Sequence, residues 1–304
     1  MADVVIVGAA RTPMGGMQGA FAPVTAGELG GAAIAAALSR AGGAPDRVEE
    51  LLMGCVLPAG QGQAPARQAG FAAGLPQSVP ATTLNKMCGS GMKAAMVGYD
   101  QIAAGGTGLM VAGGMESMTN APYLLPKMRS GARLGHAQAL DHMFLDGLED
   151  AYDKGRLMGT FAEDCAAAFA FTREAQDAYA LASLERALAA QSSGGFDAEI
   201  CPVSVTTRGG ATEVAQDEQP GLARPEKIPT RSGKTGFFEW NDRHYISRTN
   251  GQGNRKRMFM EPLCFVEVIG GQGDEPSGWL SFCSDRASSG CGCGGSRSWP
   301  GTHE

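Results

Sequence analysis

The chain opens on four consecutive apolar residues, Val4, Val5, Ile6 and Val7, with no polar alternation, the pattern of a strand buried on both faces. A Gly-rich loop follows. Thr25-Ala26-Gly27-Glu28 then supplies a capping box for a helix carrying Leu29, Ala33, Ile34, Ala37 and Leu38 on its apolar side. Gly42-Gly43 is its stop. Residues 51–57 predict a second strand closed by Pro58, residues 64–73 a short alanine-rich helix, and residues 79–84 a third strand. Met92, Ala95, Met96, Tyr99 and Ile102 then recur at helical spacing, and residues 109–112 read as another buried strand leading into Gly113-Gly114. Strand and helix alternate throughout, which predicts an α/β layer sandwich with a mainly parallel sheet.

From Ser117 the pattern changes to helices with long loops. Residues 141–157 form an amphipathic, acidic stretch, read as helical. Thr172 caps a helix to about Gln191, with Ala175, Ala178, Tyr179, Ala182 and Leu188 on its apolar side and Gly194-Gly195 beyond it. Residues 200–205 read as a lone strand and Arg208-Gly209-Gly210 as a turn. A break lies near Thr230. Alanine, abundant before it, is represented afterwards by Ala287 alone, and Trp240, Trp279 and Trp299 all follow it. The tail holds a strand-like piece at residues 263–269 but no regular alternation, and residues 288–296 are Gly- and Ser-rich, read as loop.

Composition narrows the function classes. A length of 304 residues allows two ordinary domains, and 43% hydrophobic with 18% charged residues describes a globular chain. The net charge of −6 argues against nucleic acid as a partner, which calls for a basic face. No run of 18 apolar residues occurs and no basic leader precedes the first strand, so neither a membrane span nor a secretory signal is expected. Eight cysteines, four of them widely scattered at positions 55, 88, 165 and 201, fit free thiols in a reducing, cytoplasmic compartment.

The candidate chemistry centres on Leu84-Asn85-Lys86-Met87-Cys88-Gly89-Ser90-Gly91-Met92-Lys93. An apolar strand precedes Cys88 and a helical pattern follows, which puts the thiol at a helix N-terminus. Unpaired amides and the positive end of the helix dipole favour a thiolate there, and thiolate is the nucleophilic form. Gly89 and Gly91 let a carbonyl approach closely and leave backbone N–H groups open to an oxyanion.

This segment resembles the acyl-enzyme signature of thiolases, which make or cleave 3-ketoacyl-CoA. Further matching stretches stand in family order: Val5 to Pro13, Gly113-Gly114-Met115-Glu116-Ser117-Met118-Thr119-Asn120-Ala121-Pro122, Met158 to Glu163, and Thr172 to Ala180. The resemblance covers about residues 2 to 230 and implies a thiolase-like layered α/β/α sandwich, first half only, with a mainly helical loop-domain insertion and an irregular tail. It divides the chain into an N-terminal α/β domain with the nucleophile (1–117), a loop domain covering the nucleophile and binding coenzyme A (118–230), and a poorly ordered tail outside the family pattern (231–304).

By resemblance, Cys88 takes an acyl group from one thioester and acetyl-CoA, deprotonated, then condenses with it. Cys88 is the catalytic residue, its own N–H one oxyanion donor, and Met158 lies against the acyl chain. Leu157 stands where many relatives carry His. No cofactor is permanently bound, coenzyme A thioester being the substrate, no metal is expected, and a homodimer or homotetramer is implied. The family's Gly-His-Pro base motif, its Asn-Glu-Ala-Phe stretch and its second catalytic Cys motif are not found after Thr230. His136 and His142 read as solvated residues. Condensation is therefore expected to be incomplete, and a non-catalytic fragment or CoA-binding interaction module stands as the alternative. A dinucleotide-binding reading fails because Gly8-Ala9-Ala10-Arg11-Thr12-Pro13 lacks the G-x-G-x-x-G turn.

Overall fold

The computed structural model describes residues 4–222 and 265–271. In chain order its elements are β1 (Val4–Arg11), α1 (Ala26–Arg40), β2 (Glu50–Gly54), α2 (Pro65–Ala72), β3 (Ala81–Leu84), α3 (Ser90–Ala103) and β4 (Leu109–Gly114). A second group follows: β5 (Tyr123–Leu124), β6 (Leu140–Asp141), α4 (Met158–Ala168), α5 (Arg173–Ser192), β7 (Val203–Thr207), β8 (Gly210–Val214), α6 (Glu218–Leu222) and finally β9 (Phe265–Gly271). The capping box of α1 forms as its sequence predicts, with Thr25 Oγ1 accepting from the Glu28 amide and Glu28 accepting from the Thr25 amide. Thr172 likewise accepts from the Ala175 amide at the start of α5.

The main sheet has the order β1-β9-β4-β2-β3. Strands β2, β3 and β4 are parallel, and β9 is antiparallel to both β1 and β4. β1 therefore runs in the same direction as β4, and β9 is the one strand reversed. On one face, α1 and α2 enclose a core of Leu29, Ile34, Leu51, Met53, Val111, Val266 and Val268. On the other, α3 packs through Ala94 and Ile102 onto Leu52, Met110, Ala112 and Ile269. The result is the expected three-layer α/β/α sandwich.

Several local expectations are corrected. The strand-like piece at 263–269 is realised as β9, and it is no irregular tail segment: Val266 and Val268 are 0% exposed in the middle of the sheet. The remainder of the expected tail lies outside the described residues. On α3 the large apolar stripe is the outward one, with Met92 74% and Met96 and Tyr99 each 54% exposed. The buried stripe is Ser90, Ala94 and Gly98, whose small side chains allow the helix to approach the sheet closely, with Ile102 filling the space at its far end. A Cβ at Gly98 would already touch Ile269 and Ala112.

The acidic stretch 141–157 contains only one π-helical turn, Phe144–Leu148. Beyond it Asp150 accepts the amides of Tyr152 and Asp153, and Glu149 accepts the amide of Gly155. Side chains that bind nearby amides compete with helix in this way. On α5 the buried residues are Asp177, Ala180 and Leu184, whereas Ala175, Ala178, Tyr179 and Leu188 are exposed. Asp177 tolerates its position through an ion pair with Arg173 at 2.8 Å. The strand expected at 200–205 is not alone either: β7 pairs with β8 as a hairpin around the predicted turn.

The end of this second region is clasped to β1. Arg11, buried, donates to both carboxylate oxygens of Asp217 at 2.7 and 3.0 Å and to Glu199 at 2.5 Å. Arg40 donates to the backbone carbonyls of Ala9, Glu199 and Ile200. Cys201, Val203 and Val205 extend the core on the α1 and α2 side.

Candidate active site

Cys88 stands between the carboxyl end of β3 and the first turn of α3 and is exposed. Parallel α/β sheets present their ligand sites at this carboxyl edge. The approach of α3 to the sheet is set by three glycines. A Cβ at Gly54, the last residue of β2, would lie 2.5 Å from Ser90 backbone and side chain, and Gly114 at the end of β4 meets Gly91 at 3.1 Å. No side chain fits between these elements, so the helix N-terminus is pressed onto the ends of β2 and β4.

The turn before the helix is tight. Met87 has φ +46°, a left-handed conformation uncommon for residues other than glycine. Its amide donates to Asn85 Oδ1 at 2.8 Å, and its carbonyl accepts from the Ser90 amide at 3.0 Å and the Ser90 hydroxyl at 2.5 Å. Ser90 Oγ also accepts from the Lys86 amide at 3.0 Å. The Gly89 amide closes onto the Lys86 carbonyl. The amides of Gly91 and Met92, in the first turn of α3, have no intrahelical acceptor by construction. They form the helix's positive end, where an anion is stabilised.

Beneath this turn lies a buried polar cluster. Glu116, 4% exposed, accepts the amides of Val56 at 2.7 Å and Leu57 at 3.0 Å, and the Cys55 thiol at 3.3 Å. Burial pushes the Glu116 carboxyl above the usual carboxylate range despite these donors. Burial, and next the Glu116 charge, push the Cys55 thiol up to about 12. Burial also raises the Cys201 thiol. His142 is buried as well, its Nδ1 2.6 Å from Asp146, and not the solvated residue its sequence suggested. Glu116 belongs to a matched motif, and its signal in the sequence is a single acidic side chain in a run of small and apolar residues.

Met158 occupies the first turn of α4 and is exposed, and α4 buries no side chain among the described residues. No described contact joins Met158 to Cys88. His136, Arg129 and Arg133 lie in the exposed segment between β5 and β6. Among the described residues no group of three or more His, Cys, Asp or Glu side chains is arranged to hold a metal ion. No helix among them is long and apolar enough to cross a membrane.

Comparison with known proteins adds the deciding observation. A family model described as the thiolase N-terminal domain matches residues 4–225. The chain belongs to the thiolase family. It is 49% identical over 238 residues to acetyl-CoA acetyltransferase 2 of Arabidopsis thaliana, covering 78% of this chain and 59% of that protein. It is 51% identical over 210 residues to the acetyl-CoA acetyltransferase of Cupriavidus necator, covering 69% and 53%. The Schizosaccharomyces pombe acetyl-CoA acetyltransferase is 46% identical over 228 residues, covering 74% and 58%. The chain thus spans less than two thirds of the length of these thiolase relatives.

Of the four cysteines in the described residues, only Cys88 and Cys165 are exposed. Cys165 lies in the last turn of α4, at the negative end of its helix dipole, and Cys88 at the positive end of α3's. Among these four, limiting iodoacetamide at neutral pH is therefore expected to label Cys88 first, Cys165 more slowly, and Cys55 and Cys201 only after unfolding. Peptide mapping by mass checks the order, and labelling of Cys165 or a buried thiol ahead of Cys88 would contradict it.

Proposed function

We propose that this thiolase-family chain is an acyltransferase acting on acetyl-CoA and 3-ketoacyl-CoA through an acyl thioester on Cys88. The observation that carries the reading is the setting of Cys88: an exposed thiol on a tight turn at the carboxyl edge of the sheet, in front of free helix amides. The Cys88 thiolate attacks the carbonyl carbon of the CoA thioester. The oxyanion so formed takes hydrogen bonds from backbone N–H groups at the start of α3, as oxyanion holes do. Collapse of the adduct expels coenzyme A as its thiolate, which takes up a proton and leaves the acyl group on sulfur.

Coenzyme A thioester enters as substrate, and the relatives' name supplies the acetyl group as the first acyl group to test. Met158, at the head of α4, is proposed to meet the acyl chain, and the chain to act as a cytoplasmic homodimer or homotetramer. The outward Met92, Met96 and Tyr99 face of α3 supports self-association, since apolar patches of this kind favour a covering partner.

The absence of a Gly-His-Pro motif from the sequence favours a second reading, a fragment that binds CoA thioesters without turnover. Exchange of labelled coenzyme A into acetyl-CoA separates the two, because it needs only the first half-reaction. The 304-residue chain is expected to catalyse exchange and its Cys88→Ser variant to lose it. Equal exchange by both proteins would exclude the Cys88 thioester, and none by either would favour the binding module.

A further inference from the structure

We propose that Asn85, tied through Val56 to the buried carboxylate of Glu116, is a positioning residue that holds Met87 left-handed and so presents the Cys88 thiol. This inference rests on the reading of Cys88 as the nucleophile. The geometry forms an unbroken chain of contacts. Glu116 fixes the segment after β2 by accepting the amides of Val56 and Leu57. The carbonyl of Val56 then accepts from Asn85 Nδ2 at 3.1 Å. Asn85 Oδ1 in turn accepts the amide of Met87, the residue before Cys88.

The arrangement answers a specific steric problem. Methionine pays a conformational penalty at φ +46°, and the turn keeps it there because both of its backbone polar groups are engaged, the amide by Asn85 and the carbonyl by Ser90. Ser90 is buried against Gly54 in the first turn of the helix. Asn85 is exposed and borrows its rigidity from Glu116. Glu116 never touches the thiol, and its part is to keep the acceptor carbonyl of Val56 in place.

The test uses the full chain and reads the rate of Cys88 alkylation by iodoacetamide relative to that of Cys165, an internal reference on a separate helix. Asn85→Ala is expected to slow Cys88 about tenfold, between the worth of one hydrogen bond and the loss from a misplaced reacting group, with Cys165 unchanged. Met87→Gly added to Asn85→Ala should restore most of the rate, since glycine adopts the left-handed conformation without a penalty. Glu116→Gln, which exchanges an acceptor for a donor, should slow Cys88 in the native chain but have little further effect on top of Asn85→Ala. Additive losses, an unchanged rate in Asn85→Ala, or no rescue by Met87→Gly would each overturn the proposal. If Asn85→Ala fails to fold, the double variant carries the test: recovery of fold and Cys88 rate supports the proposal, and no recovery overturns it. Because alkylation needs no CoA ester, failure here is distinct from failure of coenzyme A exchange, which would count against the acyl-thioester reading alone.

Discussion

Val268→Asp is expected to prevent folding of the α/β domain, although residue 268 lies in a stretch with none of the family's motifs. Val268 is 0% exposed and pairs with Gly8 of β1 on one side and Val111 of β4 on the other. The substitution forfeits about 1.5–3 kcal/mol of apolar burial and adds an unpaired carboxylate to a dry core, for several kcal/mol more. Against a domain stability of about 5–15 kcal/mol, that is enough to unfold most of the population. A chain stopped after Thr230 should behave alike, because removal of β9 leaves β1 and β4 with unpaired edges. Circular dichroism with urea titration checks both. A midpoint in Val268→Asp equal to that of the native chain would mean that β9 does not belong to the sheet.

The second large effect concerns the reaction as a whole. The 304-residue chain is expected to form acetoacetyl-CoA from acetyl-CoA at least about 10²-fold more slowly than a full-length acetyl-CoA acetyltransferase, and by up to about 10⁴-fold, the range a lost general base commonly costs. The reason lies in the sequence, where no Gly-His-Pro motif supplies a base for the carbon acid. Among the described residues His142 is no substitute, being buried and bonded to Asp146 beneath the 55–59 segment. A coupled assay on protein freed of host thiolase measures the ratio. A rate equal to the relatives' would show that other residues of this chain supply the base.

What the sequence made legible was mostly local. The capping box of α1, the Thr172 cap of α5 and the Gly stops after both located these helices, and the apolar runs located β1 and β4, since these signals depend on neighbours a few residues apart. The strand–Cys–helix setting of Cys88 was legible for the same reason. Other features depend on contacts between distant segments. That β9 would enter between β1 and β4 is set by pairing across some 150 to 260 positions, and no period in the chain encodes it. The helical spacing located α3 but not its orientation: Met92, Met96 and Tyr99 point outward, and the sheet selects Ser90, Ala94 and Gly98 instead. Glu116 stands out in the sequence as a lone acid, but its partners do not, because it accepts from the backbone amides of Val56 and Leu57, and every sequence contains such amides.

The central claim is that Cys88 carries the acyl group. Its most direct test is to incubate the purified chain with acetyl-CoA, quench in acid to preserve thioesters, and map the peptides by mass. The account predicts one added acetyl group on the peptide containing Cys88, released by hydroxylamine and absent from Cys88→Ser. An unmodified Cys88 peptide, or acetyl on another cysteine that persists in Cys88→Ser, would contradict it.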